Sequence, residues 1–486
     1  MTTKAEAAPV ILWFRQDLRL ADNPALAAAV ATGQPVLPVF ILDQAPALHP
    51  TGAASLWWLD KSLRVLDADL RSHGSGLVLR RGDSEAELRR LIGETGADAV
   101  FMNRLFEPAA FARDADVAHG LEAEGVACKG WNATLLARPG AVLNGSGQPY
   151  KVFTPFLKAL LAAADAPPRL APPVRLPPPP GTASDDIDAW GLHPTRPDWS
   201  GGFAWTPGEA GAEAALAGFL DRGMKSYSRG RDIPAEPATS RLSPHLHFGE
   251  ISPWRAVEAA RDAAAAGRVP AAEAEKFVAE IGWREFSAHL LHAFPQMVDT
   301  AFRPEYDALP WRDDPAGLAA WRRGCTGYPV VDAGMRELWA TGYMHNRVRM
   351  IVASFLVKHL LIDWRKGEAW FRDTLVDADL ASNVQNWQWV AGSGADAAPY
   401  FRIFNPIIQG RKFDADGRYV RRWVPELRGV PDRWLHAPWT APPEVLRDAR
   451  VRLGADYPRP IVDHDLARRR ALDALASVVA ARVEGD

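Results

Sequence analysis

Apolar positions along the chain follow two regimes. In the first, short apolar runs at Val10–Phe14, Val36–Leu42, Leu77–Arg80 and Ala99–Asn103 are separated by longer amphipathic stretches such as Ser55–His73. That alternation predicts strands and helices in turn, and so a parallel sheet covered by helices. From about Trp205 onward the pattern becomes almost wholly helical, with candidates at Gly208–Arg222, Ala271–His292, Tyr343–Leu361 and Glu368–Leu375. Between the regimes lie Pro167-Pro168, Pro172-Pro173 and Pro177–Pro180, which cannot continue a helix or a central strand and predict a linker wrapped over a surface. The expected organisation is an α/β domain over residues 1–140, a proline-rich linker over 141–204, a large all-α domain over 205–475 and a tail over 476–486.

Composition narrows the function only by exclusion. A chain of 486 residues exceeds what one core usually serves and can enclose a large ligand. Its formal net charge of −3 gives no global footprint for nucleic acid, so any such surface must be a local basic patch. The two cysteines, Cys128 and Cys325, lie far apart, which excludes a four-cysteine iron–sulfur site or a disulfide framework and points to a reducing compartment. No apolar stretch approaches membrane-spanning length and no leader pattern is visible, so a soluble cytoplasmic protein is expected. The first strand runs into Arg15-Gln16-Asp17-Leu18-Arg19 instead of a GxGxxG turn, which argues against a dinucleotide site of the usual kind. The 19 tryptophans are an unusual supply and bring aromatic stacking and electron transfer into consideration.

Several clusters can carry chemistry. Thr239-Ser240-Arg241-Leu242-Ser243-Pro244 offers hydroxyls, a guanidinium and a helix start, a set that suits a phosphate and equally an ordinary N-cap. On helices, Glu280 shares a face with Trp283, and Asn346 with Arg349 and Met350, either to line an apolar pocket with polar handles or as plain amphipathic packing. Trp387 and Trp389, two apart, point about 200° away from each other at roughly 100° per residue, so one can face a cavity while the other does not. Asp377 and Asp379 are either a solvated helix start or, near Arg349, a buried ion pair; Asn383 lies one turn beyond. Arg402, Arg411, Lys412, Arg418, Arg421 and Arg422 form a basic cluster, a phosphate-tracking rim or a solvated loop.

Taken together, these segments resemble the photolyase/cryptochrome family over nearly the whole chain, in particular the bacterial cyclobutane pyrimidine dimer photolyases close to plant cryptochromes. The resemblance is carried by Trp13–Arg19, Thr239–Pro244, Trp283-Arg284-Glu285-Phe286, Thr326-Gly327-Tyr328-Pro329, Met344-His345-Asn346-Arg347 and Tyr400-Phe401-Arg402-Ile403-Phe404-Asn405-Pro406, in the family's order. It implies a Rossmann-like α/β antenna domain and a helical domain that binds FAD. Position by position, it implies flavin contacts at Tyr227, Thr239, Ser240, Arg241, Leu242, Ser243, Phe277, Glu280, Arg349, Asp377, Ala378, Asp379 and Asn383. Phe277 stands where many relatives have tryptophan and keeps an aromatic wall. Asn383 matches the residue facing flavin N5; plant cryptochromes are similar here but carry an aspartate, whereas an amide favours the anionic reduced flavin needed for repair.

The same resemblance implies a substrate cavity of Glu280, Trp283, Asn346, Met350 and Trp389, an electron-transfer chain of Trp387, Trp364 and Trp311, and DNA contacts at Arg231, Trp283, Asn346, Arg347, Gln409 and Lys412. The expected activity is light-driven splitting of cyclobutane pyrimidine dimers in DNA by a monomer that uses no metal. His345-Asn346 opposes a photolyase of (6-4) photoproducts, which would show two adjacent histidines. The rival is a cryptochrome-like blue-light receptor, opposed by Asn383, the intact cavity and the lack of a long C-terminal extension. Phe106-Glu107-Pro108-Ala109-Ala110-Phe111 lacks the Asn-Glu pair of folate-binding relatives, so 5,10-methenyltetrahydrofolate is expected at a differently built site, with 8-hydroxy-5-deazaflavin as the alternative antenna.

Overall fold

The computed structural model describes residues 7–177, 181–195, 197–396 and 401–485, with side chains to residue 478. Tyr400 and Pro178–Pro180 therefore lie outside the described residues. Two compact units result, one of Met1–Pro197, Trp205–Asp221 and Ser240–Ala293, the other of Asp198–Ala204, Arg222–Thr239 and Phe294–Asp486. No described helix is long and apolar enough to cross a membrane.

In the first unit, strands β1 (Val10–Phe14), β2 (Val36–Leu42), β3 (Val78–Arg81), β4 (Ala99–Asn103) and β5 (Ala127–Trp131) form one parallel sheet in the order β3-β2-β1-β4-β5. β1 and β2 are buried along their whole length, which is why they read as unbroken apolar runs. β5 escaped the sequence reading because it is a partly exposed edge strand of sequence ACKGW, with neither a run nor an alternation. Covering helices start on side-chain caps: Asn23 accepts from the Leu26 N–H ahead of Pro24, and Asp83 from the Ala86 N–H. The segment expected to be a linker contributes a helix, Phe153–Ala163, that packs on the helix Ala271–Ala293.

The Arg15–Arg19 stretch is a structural knot. The buried Arg19 guanidinium donates to the carbonyls of Ala21, Asp22, Ala133 and Gly249, and Arg15 pairs with Asp114 at 2.9 Å. Asp17 accepts from the Arg15 N–H and from Asn103 Nδ2, each at 2.6 Å. Gly249 closes the knot at φ +64°, and a Cβ there would lie 2.0 Å from the Gln16 carbonyl oxygen.

In the second unit, side-chain caps again set helix starts. Asp363 caps Trp364–Thr374, one turn earlier than the expected start at Glu368, and Asp379 caps Leu380–Ala391. The expected helix Tyr343–Leu361 is α-helical only over Asn346–Ser354; it then widens to a π-helix at Phe355–Leu360 and ends on Leu361 at φ +56°. His345 is its N-cap, its Nδ1 accepting from the Arg347 N–H at 3.2 Å. Of the basic cluster, Arg402 lies in an irregular segment, while the other five residues occupy the helices Pro406–Phe413 and Arg418–Trp423, where Arg418 and Arg421 pair with Asp416 and Asp432. The last helix, His464–Gly485, continues through most of the segment expected as a tail.

Gly249→Ala forces a side chain into a left-handed backbone position and onto the Gln16 carbonyl, so it should lower the unfolding free energy by at least about 2 kcal/mol, measured by denaturant titration. Burial, with the Arg349 charge second, pushes the His345 pKa down to about 4. The folded protein therefore keeps this ring neutral while the unfolded chain protonates it near the usual value of about 6.5, and the stability tied to it is lost as pH falls from there toward 4. His345→Asn keeps a capping oxygen and removes the titration. Its unfolding free energy should fall less steeply with acid than the parent's, by up to about 1.4 kcal/mol per pH unit in that window, in paired melts across pH.

Candidate functional site

The second unit contains an open cavity, about 550 Å³ when the solvent-filled mouth is included. Asn346, Arg349, Met350 and Ala353 reach it from the helix Asn346–Ser354, and Ser382, Asn383, Asn386, Trp387 and Val390 from Leu380–Ala391. Spacings of three and four put each set on one helical face. Phe371, Leu375, Asp377 and Ala378 complete the wall.

An ion pair fixes the two helices. Arg349 Nη2 donates to both oxygens of Asp377, at 3.0 and 2.9 Å, and its Nε donates to the Met344 carbonyl at 2.7 Å. Burial opposes the guanidinium's charge, but Asp377 and Tyr343 outweigh it and hold its pKa above the ordinary value. Asp379 spends one carboxylate oxygen on the Ser382 N–H at 2.8 Å. Asn383 Nδ2 donates to Glu368 twice, to the backbone carbonyl at 3.2 Å and to Oε1 at 2.9 Å. With its nitrogen so committed, Asn383 has its carbonyl oxygen left for a ligand.

The tryptophans separate as their spacing requires. Trp387 is buried in the cavity wall, edge-on to Phe371 at 5.0 Å and Trp321 at 6.2 Å, and its indole N–H has no partner among the described residues. Trp389 does not line this cavity; its Nε1 donates to the Asp396 carbonyl at 3.1 Å. Trp364 is buried at the start of its helix, and Trp311 is half-buried against Leu309, Leu361, Ala474 and Val478. Also in this unit, Arg347 pairs with Asp232 at 2.7 Å and lies over Phe413, beside Lys412 on the helix that carries Gln409. Arg231 lies over the Tyr227 ring, and Thr239 ends that stretch of the unit.

The remaining expected residues belong to the first unit. Ser240 Oγ accepts from the Leu242 N–H at 3.3 Å, Arg241 has φ +54° and lies over Trp205, and Ser243 opens the short helix Ser243–His247. Phe277, Glu280 and Trp283 lie along Ala271–Ala293: Phe277 buried against Phe219, Glu280 paired with Lys276 at 3.2 Å, and Trp283 stacked on Phe153. Glu368 was invisible to the sequence reading, because it meets Asn383 across two helices and no short-range spacing links them.

The cavity suits a flavin ring. Phe371, Leu375, Met350 and Val390 supply apolar surface, Asn346, Arg349, Asp377, Ser382 and Asn383 bring polar groups to it, and the Trp387 N–H, without a partner among the described residues, leaves a donor to satisfy. Residues 277–477 match the FAD binding domain of DNA photolyase, and residues 10–178 match the DNA photolyase family. The chain is 52% identical to the deoxyribodipyrimidine photo-lyase of Agrobacterium fabrum, over 97% of this chain and 98% of that one. It is 40% identical to cryptochrome-1 of Arabidopsis thaliana, over 96% of this chain and 70% of that one. A crystal structure of a class III photolyase from Agrobacterium tumefaciens superposes with a TM-score of 0.95 at 51% identity, covering 99% of each chain. With a five-stranded parallel sheet, a helical FAD-binding region and this breadth of similarity, the chain belongs to the photolyase/cryptochrome family.

Proposed function

We propose that the protein repairs cyclobutane pyrimidine dimers in DNA with light, as a cytoplasmic monomer that holds FAD against the Arg349–Asp377 pair. The observation that carries the reading is the cavity wall itself, where an amide, Asn383, stands locked by Glu368 instead of an acid. FAD held there in its fully reduced form would supply light-driven one-electron chemistry to the dimer.

The chain's own residues position and insulate that chemistry. Asn383 presents a carbonyl and no ionisable proton, and Asp377, Ala378 and Asp379 bracket the other polar edge of the ring system. Tyr227, Thr239, Ser240, Arg241, Leu242, Ser243 and Phe277 hold the remainder of the dinucleotide, with hydroxyls and a helix start suited to phosphate. Glu280 is the donor in a hydrogen bond to a dimer carbonyl, a contact most useful as negative charge develops there. Trp283 and Trp389 clamp the dimer, and Asn346 and Met350 complete its set of contacts; poor stacking in the lesion lowers the cost of flipping it out. Arg231, Arg347, Gln409 and Lys412 track phosphates, a local basic surface on a chain whose total charge is −3.

Trp387, Trp364 and Trp311 carry reducing equivalents to the cofactor and stand apart from repair. The antenna is proposed as 5,10-methenyltetrahydrofolate, with 8-hydroxy-5-deazaflavin as the competing pigment. Illumination of reduced protein with dimer-containing DNA tests the activity; no loss of dimers sinks the reading.

Asn383→Asp should convert the amide contact with Glu368 into two facing carboxylates that share a proton. Repair per absorbed photon by pre-reduced protein should then drop severalfold and become pH-dependent through neutrality; an unchanged, flat profile rejects the role of the amide. Lys412→Ala should weaken binding to damaged and undamaged DNA alike and reduce the salt slope by about one unit. Arg347→Ala should reduce it by less, since Asp232 already neutralises part of that charge. Salt-dependent titrations of both variants check the order.

A further inference from the structure

We infer that Phe153 is the positioning residue for the Trp283 indole: it closes one ring face, so that a nucleobase can stack only on the other. The inference rests on the assignment of Trp283 to the dimer-binding cavity above. The Phe153 and Trp283 rings lie 3.6 Å apart between centroids at an interplanar angle of 7°, a full face-to-face stack. Phe286 meets both rings edge-on, at 5.9 Å from Phe153 and 5.8 Å from Trp283, so the pair is fixed laterally as well. Phe286 in turn rests on Phe156, from the helix that Phe153 begins, at 5.2 Å.

The stack depends on close approach of that helix to Ala271–Ala293. Gly282, the residue before Trp283, provides it: a Cβ there would sit 2.5 Å from Leu157 Cδ1. The register of one helix on the other is thus set at the position adjoining the indole, and Phe153 is placed over it. Phe153 is 9% exposed whereas Trp283 remains half-buried, so the indole keeps accessible surface after the phenyl ring has covered one face. An indole held in one rotamer before substrate arrives spares the ordering entropy that a free side chain loses on binding. A purely architectural Phe153 would support the core without any bearing on lesion recognition.

The test uses reduced, FAD-loaded protein in the dark and measures affinity for a dimer-containing duplex and for the same duplex undamaged. Phe153→Leu and Phe153→Met remove the ring at similar volume; Phe153→Tyr keeps it. The ratio of the two affinities should fall roughly three- to tenfold in the Leu and Met variants, the range of an aromatic pair, with undamaged-duplex affinity and FAD content unchanged, and stay within about twofold in Phe153→Tyr. Phe153→Leu added to Trp283→Ala should cost nothing further. If Trp283→Ala lowers the ratio and neither Leu nor Met does, the positioning role is overturned while the cavity assignment stands; if Trp283→Ala itself leaves the ratio unchanged, it is the cavity assignment that falls. Additive losses in the double variant, or failure of both the Leu and Met variants to fold, overturn the proposal by making Phe153 a core residue and nothing more.

Discussion

The Arg349–Asp377 pair is the constraint around which the helical site is arranged. Taking two charges out of water is costly, and the cost is met only when geometry and additional hydrogen bonds are good. Here Arg349 binds both carboxylate oxygens and spends its Nε on the Met344 carbonyl. One guanidinium thereby ties together the turn before Asn346–Ser354, that helix itself and the segment leading into Leu380–Ala391. Removing Arg349 leaves the buried Asp377 carboxylate without its partner, worth about 3–5 kcal/mol, so the relative placement of these segments is strongly specified.

Caps and close approach then set what those helices present. His345 and Asp379 fix the starts, and hence the rotational phase, of the helices that bring Asn346, Arg349 and Met350 and then Asn383 and Trp387 into one wall. Gly367 lets Trp364–Thr374 approach so closely that a Cβ would meet the Trp387 ring at 2.2 Å. The indole is thus pressed onto the backbone of the helix that Trp364 opens, and Glu368, the next residue, reaches Asn383. The same backbone contact that packs Trp387 also orients the amide.

The first unit uses the same devices differently. Its opening loop, which looks chemically loaded with Arg15, Asp17 and Arg19, spends those groups on one another and on main-chain carbonyls. A family signature there marks a structural knot, and the freedom of Gly249 is what allows the chain to close it. Strongly charged motifs thus divide into those that bind ligand and those that satisfy backbone, a division that depends on partners far away in sequence.

Short-range information determined much of this protein. Strands β1 to β4 were legible because their mostly buried positions read as apolar runs, and Asn346, Arg349 and Met350 because three- and four-residue spacing projects them from one helical face. The opposed directions of Trp387 and Trp389 followed from helical geometry alone. Tertiary structure decided the rest. β5 became a strand by pairing with β4, since its own sequence carries no period. Phe153–Ala163 became a packed helix within a proline-rich stretch because Gly282 opens a slot for it. Most of the basic cluster fell on two helices, where Arg421 finds Asp432, and Glu368 met Asn383 across 15 positions. The strand pairing, the helix packing and the Glu368–Asn383 contact rest on meetings between separate elements, which local hydrophobic pattern does not encode.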